Sequence, residues 1–163
     1  MKILDLKALR GANYWSNRWK KLIVMQLDIE EYEEKPSDKI PMFMERLVEL
    51  IPTLSTHTCS YGYEGGFLQR VAEGTWAGHI IEHIALEMQT LAGMDTGFGR
   101  TRETDVTGVY NVIFSYIEEK AGLFTAEEAV KLFLSIAEGR SDKKKKNQLN
   151  NDIQKLREIR EEV

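Results

Sequence analysis

The sequence predicts an α+β domain: a small mixed β-sheet covered by helices, with a charged helical appendage at its C-terminal end. Three observations carry this expectation. Two apolar runs rich in β-branched residues, LIVMQLDI at 22–29 and VYNVIFSYI at 109–117, have the composition of buried strands. Between them, TWAGHIIEHIALEMQTLAG at 75–93 repeats with helical period and is apolar over most of its surface. After Arg140 the chain turns abruptly charged, with four consecutive lysines at 143–146.

Taken in order, Met1 to Arg10 alternates imperfectly through Ile3, Leu4, Leu6 and Leu9, which reads as a short strand. Gly11-Ala12-Asn13 is a turn signal. Tyr14, Trp15 and Trp19 follow, interleaved with Asn17, Arg18, Lys20 and Lys21. Such rings can stack guanidinium groups or bases; packing against the sheet is the favoured reading. After the strand Leu22–Ile29, the acidic stretch Glu30–Asp38, with Pro36, reads as a solvated loop whose carboxylates could meet arginines. Pro41 suits the first turn of a helix that runs through Phe43, Leu47 and Leu50 and ends at Pro52. His57–Tyr61 reads as a short strand, with His57 isolated in a structural or solvent-facing role.

Gly62–Gly66 is a flexible turn into a short helix, Phe67–Glu73; it has no phosphate-loop Lys-Ser/Thr ending. Thr75 can cap the long helix and Gly93 can close it. In the glycine-containing stretch Met94–Thr107, Arg100 and Arg102 would share one face of an extended segment, with Glu103 on the other. The pair suits bidentate binding of carboxylates, or an internal network with Glu103. Val109–Ile117 is the next strand, and Thr125-Ala126-Glu127-Glu128 forms a capping box for a helix reaching Gly139. Residues 1–139 thus make one domain. Residues 140–163 read as a basic linker, Ser141–Gln148, and an amphipathic helix whose stripe of Leu149, Ile153, Leu156 and Ile159 needs a partner surface, on its own domain or a neighbour.

A net charge of −4 argues against a general nucleic-acid binder. No stretch suits a membrane span and the N-terminus shows no apolar signal region. Neither nucleic acid nor membrane is therefore an expected partner. Cys59 is the single cysteine, so neither an internal disulfide nor a cysteine-based zinc site is expected, and a reducing cytoplasm is the natural setting.

The chemistry concentrates at His79, Glu82 and His83, which spell H-x-x-E-H, the inverted zincin order. Histidines at i and i+4 stand one turn apart on one helix face, where both can reach one Zn²⁺ at roughly 2.0–2.1 Å. A carboxylate in the same turn can take a proton from water activated by the ion. The chain has three histidines and two are here. The competing reading is a pair of core histidines bonded to carboxylates or carbonyls.

Four blocks, LRGANYWS, KLIVMQLDI, GGFLQRVAEGTWAGHIIEHIALEMQTLAGM and GFGRTRET, resemble the N-terminal domain of the cyanophycin synthetase family, over Met1 to about Gly139. Ala12 stands where many relatives would have proline. The charged tail resembles the segment leading to the next domain. The resemblance implies an enzyme that builds a poly-aspartate backbone with arginine on each β-carboxyl. That work uses ATP and Mg²⁺ in an ATP-grasp domain and a Mur-ligase-like domain, in a cytoplasmic homo-oligomer. This chain stops before both domains, so it is expected not to polymerise alone. For the N-terminal domain the resemblance implies anchoring of the polymer and, where H-x-x-E-H is kept, zinc-dependent cutting of cyanophycin into primers. Zn²⁺ would then sit on His79 and His83 with Glu82 as the general base. Glu103 is the first candidate for a third ligand, with Glu64, Glu73 and Glu118 open. Glu87 would hydrogen-bond His83, and Arg100 and Arg102 would bind polymer. The alternative is a non-catalytic polymer-binding or architectural domain with a structural histidine pair.

Overall fold

Four strands pair into one sheet in the order β1-β2-β4-β3: β1 (Lys2–Arg10), β2 (Lys21–Asp28), β3 (Gly99–Glu103) and β4 (Val109–Ser115). The structure is a computed structural model and describes residues 1–140 and 142–163. Five helices accompany the sheet: α1 (Phe43–Leu50), α2 (Gly66–Glu73), α3 (Ala77–Leu91), α4 (Glu119–Ala137) and α5 (Asp142–Glu161). The α+β class is as expected, but every pairing is antiparallel rather than mixed. β2 and β3 do run in the same direction. The β3–β4 hairpin inserts β4 between them, so the parallel relation never becomes a ladder.

β2 is covered on both sides, which explains its nearly continuous apolar run. Ile23, Met25 and Leu27 join Tyr110, Val112 and Phe114 of β4 in the main core with the helices. Leu22 and Val24 join Ile113 on the opposite face, under Leu9, Trp15, Trp19 and Phe98. Asn13 folds the loop that brings the tryptophans there. Its Oδ1 accepts from the Trp15 and Ser16 backbone, and its Nδ2 donates to the Gly11 and Trp19 carbonyls. Trp15 and Trp19 therefore pack on the sheet, while Tyr14 remains exposed.

Several elements differ from expectation for local reasons. Glu30–Asp38 is not a plain loop but two short 3₁₀ turns, Glu30–Glu34 and Ser37–Lys39, pinned by buried Tyr32 and Ser37. The Ser37 hydroxyl donates to the Val71 carbonyl and accepts from the Thr75 backbone, tying this segment to the entrance of α3. His57–Tyr61 is not a strand. Left-handed backbone at Ser60, Gly62 and Gly65 coils the segment back on itself, and the Phe67 N–H reaches the His57 carbonyl. Thr125 caps nothing: α4 begins at Glu119, and the buried Thr125 hydroxyl donates back to the Ala121 and Gly122 carbonyls inside the helix.

The lysines read as a linker are helical within α5; of that stretch, Ser141 lies outside the described residues. Leu149, Ile153 and Leu156 enter the same core as the rest of the domain, with Ile159 packed against it. α5 touches α1, α3 and α4. Arg157 and Arg160 donate to the Leu91 and Ala92 carbonyls at the C-terminal end of α3, where the helix dipole favours cations. Among the described residues no helix is long and apolar enough to cross a membrane.

Candidate metal centre

Helix α3 is buried along most of its length. Ile80, Ile81, Ile84, Ala85 and Met88 have no exposed surface, and they hold the backbone so that His79, Glu82, His83 and Glu87 form a polar seam. Thr75 precedes the helix but does not cap it. Its hydroxyl lies 3.0 Å from His79 Nδ1 instead, fixing that ring.

The seam faces the coiled loop 57–66 and the first turn of α2. Phe67, fully buried, lies flat on His83 with ring centres 3.9 Å apart and planes at 16°, and stands perpendicular to the His79 ring. His79 Nε2 is 3.2 Å from Cys59 Sγ. His83 Nδ1 is 2.7 Å from His57 Nδ1, and His57 Nε2 is 2.6 Å from Glu87 Oε2. His83 Nε2 is buried and has no hydrogen-bond partner. Cys59, His79 and His83 each bring one ligand atom into a group whose members lie within 4.8 Å of one another.

These residues fit a zinc ion. Two imidazoles and a thiolate are its preferred donors, at ~2.0–2.1 Å and ~2.3 Å. Burial lowers the His79 pKa to about 4 and holds His83 well below its ordinary value, so both rings keep a lone pair at neutral pH. Burial pushes the Cys59 thiol up, and a bound cation reverses that by deprotonating a coordinating thiol. His83 Nε2 is the ring nitrogen of this centre that the protein leaves without a hydrogen-bond partner.

Glu82 stands between α3 and β3. Burial raises its carboxyl pKa to about 7, against the opposing effects of the Thr101 hydrogen bond and the Arg102 charge. Thr101 donates to Oε2 at 2.6 Å. At Gly99 the strand passes so close that a Cβ would overlap Oε1. His79, Glu82 and Cys59 open onto a cleft of about 410 Å³ whose walls include Arg70, Thr101 and Arg102.

The sequence-predicted residues separate into two groups. His79, Glu82 and His83 come together. Arg100, Arg102 and Glu103 lie at the exposed rim, on β3, which pairs only with β4 and so forms an edge of the sheet. Arg100 donates to the Trp15 carbonyl and Arg102 to the Thr101 carbonyl. Glu103 lines the cleft but is outside the group of ligand atoms. So are Glu64, Glu118 and Glu73, the last of which accepts from Tyr61 and Gln69. Glu87 bonds His57 rather than His83. Cys59, expected to hold no zinc, and His57, expected to stand alone, belong to the centre. Scarcity was the available signal: three histidines and one cysteine exist, and all four converge.

Residues 24–138 match the family described as "Cyanophycin synthase-like N-terminal domain", and the chain belongs to that family. Its relatives include a cyanophycin synthetase of Synechocystis sp., 50% identical over 159 residues, covering 98% of this chain and 18% of the relative. A cyanophycin synthetase of Geminocystis herdmanii is 58% identical over 136 residues, covering 83% and 16% respectively. One of Trichormus variabilis is 53% identical over 160 residues, covering 98% and 17%. The chain thus spans less than a fifth of the length of these relatives.

Proposed function

We propose that this chain holds cyanophycin and cuts it by zinc-dependent hydrolysis, as the N-terminal part of a cyanophycin synthetase. The observation that carries the reading is the convergence of Cys59, His79 and His83, whose buried Nε2 has no partner, beside a buried carboxylate, Glu82. A bound Zn²⁺ would polarise the scissile amide and lower the pKa of the attacking water to ~7. Cys59, His79 and His83 would hold the ion, and Glu82 would take the proton that the water loses as its oxygen bonds to the amide carbon. As the carbon–nitrogen bond breaks, Glu82 passes that proton to the departing amine. Thr101 and the backbone at Gly99 keep the carboxylate in place for both transfers.

The cleft also suits a zwitterionic polymer. Arg70, Arg100 and Arg102 offer guanidinium groups to carboxylates. The acidic turn Glu30–Glu34 offers the opposite charge and abuts the cleft wall, since Glu33 accepts from Tyr110 and Trp76. Several weak contacts of this kind keep a growing end at high effective concentration. The ATP- and Mg²⁺-dependent ligation would belong to the ATP-grasp and Mur-ligase-like domains of the longer enzyme, a cytoplasmic homo-oligomer, and not to this segment.

The test is metal analysis of the purified chain followed by incubation with soluble cyanophycin. The expected result is about one zinc per chain and shortened polymer, with cutting lost on chelation and restored by Zn²⁺. Glu82→Gln is expected to retain the metal and lose cutting; undiminished cutting by that variant removes Glu82 from the mechanism. One observation favours the non-catalytic alternative: both His79 nitrogens and His83 Nδ1 already have protein partners. A metal-free chain that binds polymer without shortening it would establish that alternative.

A further inference from the structure

We propose that the free edge of β3 is a docking strand, beside which an extended peptide bearing carboxylates on its side chains adds as a fifth strand of the sheet. Naming that peptide as cyanophycin rests on the polymer-holding part of the reading above.

Register shows which backbone groups are spare. Along a strand paired on one side, successive residues turn their N–H and C=O groups toward the partner and away from it by turns. At one end of the β3–β4 ladder the Ser115 N–H donates to the Phe98 carbonyl, and at the other the Thr104 N–H donates to the Val109 carbonyl. Arg100 and Arg102 share that parity, so their backbone groups face β4, opposite Ile113 and Asn111. Gly99, Thr101 and Glu103 turn theirs outward. Among the described residues no other strand pairs with this edge. The Thr101 carbonyl accepts from the exposed Arg102 side chain, a partner that a docking strand can displace.

The edge opens onto the cleft. All five residues of β3 line it, as do Cys59, His79 and Glu82. At Gly99 the missing side chain lets the Glu82 carboxyl lie against the strand. A peptide seated one strand spacing out, ~4.8 Å from β3, is therefore carried past that carboxyl. Main-chain pairing accepts any extended sequence, so side chains decide the occupant. Arg100 and Arg102 share one face of β3, while Thr101 between them faces α3 and bonds Glu82. Residues of the added strand opposite the two arginines present their side chains to the same face, within cross-strand reach. Carboxylates at alternate positions match that pair. A second copy of this chain does not, since two β3 strands paired antiparallel about Thr101 would set Arg100 against Arg102. Cyanophycin, with arginine joined through its amine to each β-carboxyl, offers a carboxylate at every residue.

The experiment follows backbone amide exchange, residue by residue by NMR, in the full chain with and without short soluble cyanophycin fragments. A chelator is present to hold off cutting. In the free chain Arg100 and Arg102 should exchange slowly and Gly99, Thr101 and Glu103 quickly. Bound fragments should slow the second group at least ~10-fold and leave the first group little changed. Glu103→Pro removes one outward N–H while keeping the ladder to β4, because proline is tolerated on an edge whose N–H faces away. It should bind fragments roughly 2- to 10-fold more weakly than Glu103→Ala, the worth of one backbone hydrogen bond. Fragments bound with no such alternation, or bound equally by the two variants, would overturn the proposal and leave polymer holding intact. Protection of the outward amides that grows with protein concentration alone would assign the edge to a second copy and overturn it too. A chain that binds no fragment would sink both readings. Alternating protection in a chain that, given Zn²⁺, never shortens the polymer would sink the hydrolytic reading and leave strand addition standing.

Discussion

Glu82 owes its place to two residues of β3, the hydroxyl of Thr101 and the missing side chain of Gly99. Gly99→Ala should therefore push the carboxylate aside without touching Cys59, His79 or His83. We expect zinc content near the wild-type level and a cutting rate reduced at least ~10-fold, since general acid–base catalysis contributes about 10²–10⁴-fold and depends on reach. Equal loss of zinc and cutting would show that Gly99 serves the fold instead. At this scale the sequence was readable only where chemistry and spacing coincide. His79, Glu82 and His83 stand within one turn of one another, and their grouping follows from helix geometry alone. His57 and Cys59 reach them across 20 residues or more through a coil with left-handed backbone at Ser60. A serine gives no warning of that conformation, so the sequence points to carboxylates, Glu103 first with Glu64, Glu73 and Glu118 open, and not to Cys59.

Among the elements, α2 and α3 meet at Phe67, whose ring contacts all three histidines. Phe67→Ala removes a fully buried aromatic ring, for which a loss of about 3–5 kcal/mol is typical. Denaturant unfolding should show that loss, and zinc affinity should fall with it because His83 loses the surface that fixes its plane. An unfolding midpoint within error of the wild type would mean that neighbouring side chains refill the space. Strands β2 and β4 could be read from composition because burial on both faces demands uninterrupted apolar runs. The start of α4 could not. In its first turns Gly122 packs close against Ile23 of β2, a tertiary contact that local sequence does not display, and the Thr125 motif downstream is a more familiar beginning.

For the whole molecule, the charged tail is part of the fold. Leu149, Ile153 and Leu156 are almost fully buried in the common core, each contributing roughly 1.5–3 kcal/mol of burial. Truncation after Gly139 should lower the thermal midpoint by many degrees and expose the α1, α3 and α4 surfaces, as read by calorimetry and dye binding. A truncated chain with an unchanged midpoint would restrict α5 to a connecting role. The sequence showed the stripe plainly but not its destination, because a narrow apolar face fits an adjacent domain as well as its own.

The convergence of every histidine and the single cysteine on one spot makes this protein its own reporter. A thiol-alkylating reagent has one place to react, so its rate reads how often Cys59 is uncovered. With Zn²⁺ present, alkylation should slow sharply and resume on chelation, giving an optical record of ion exchange that needs neither polymer nor turnover.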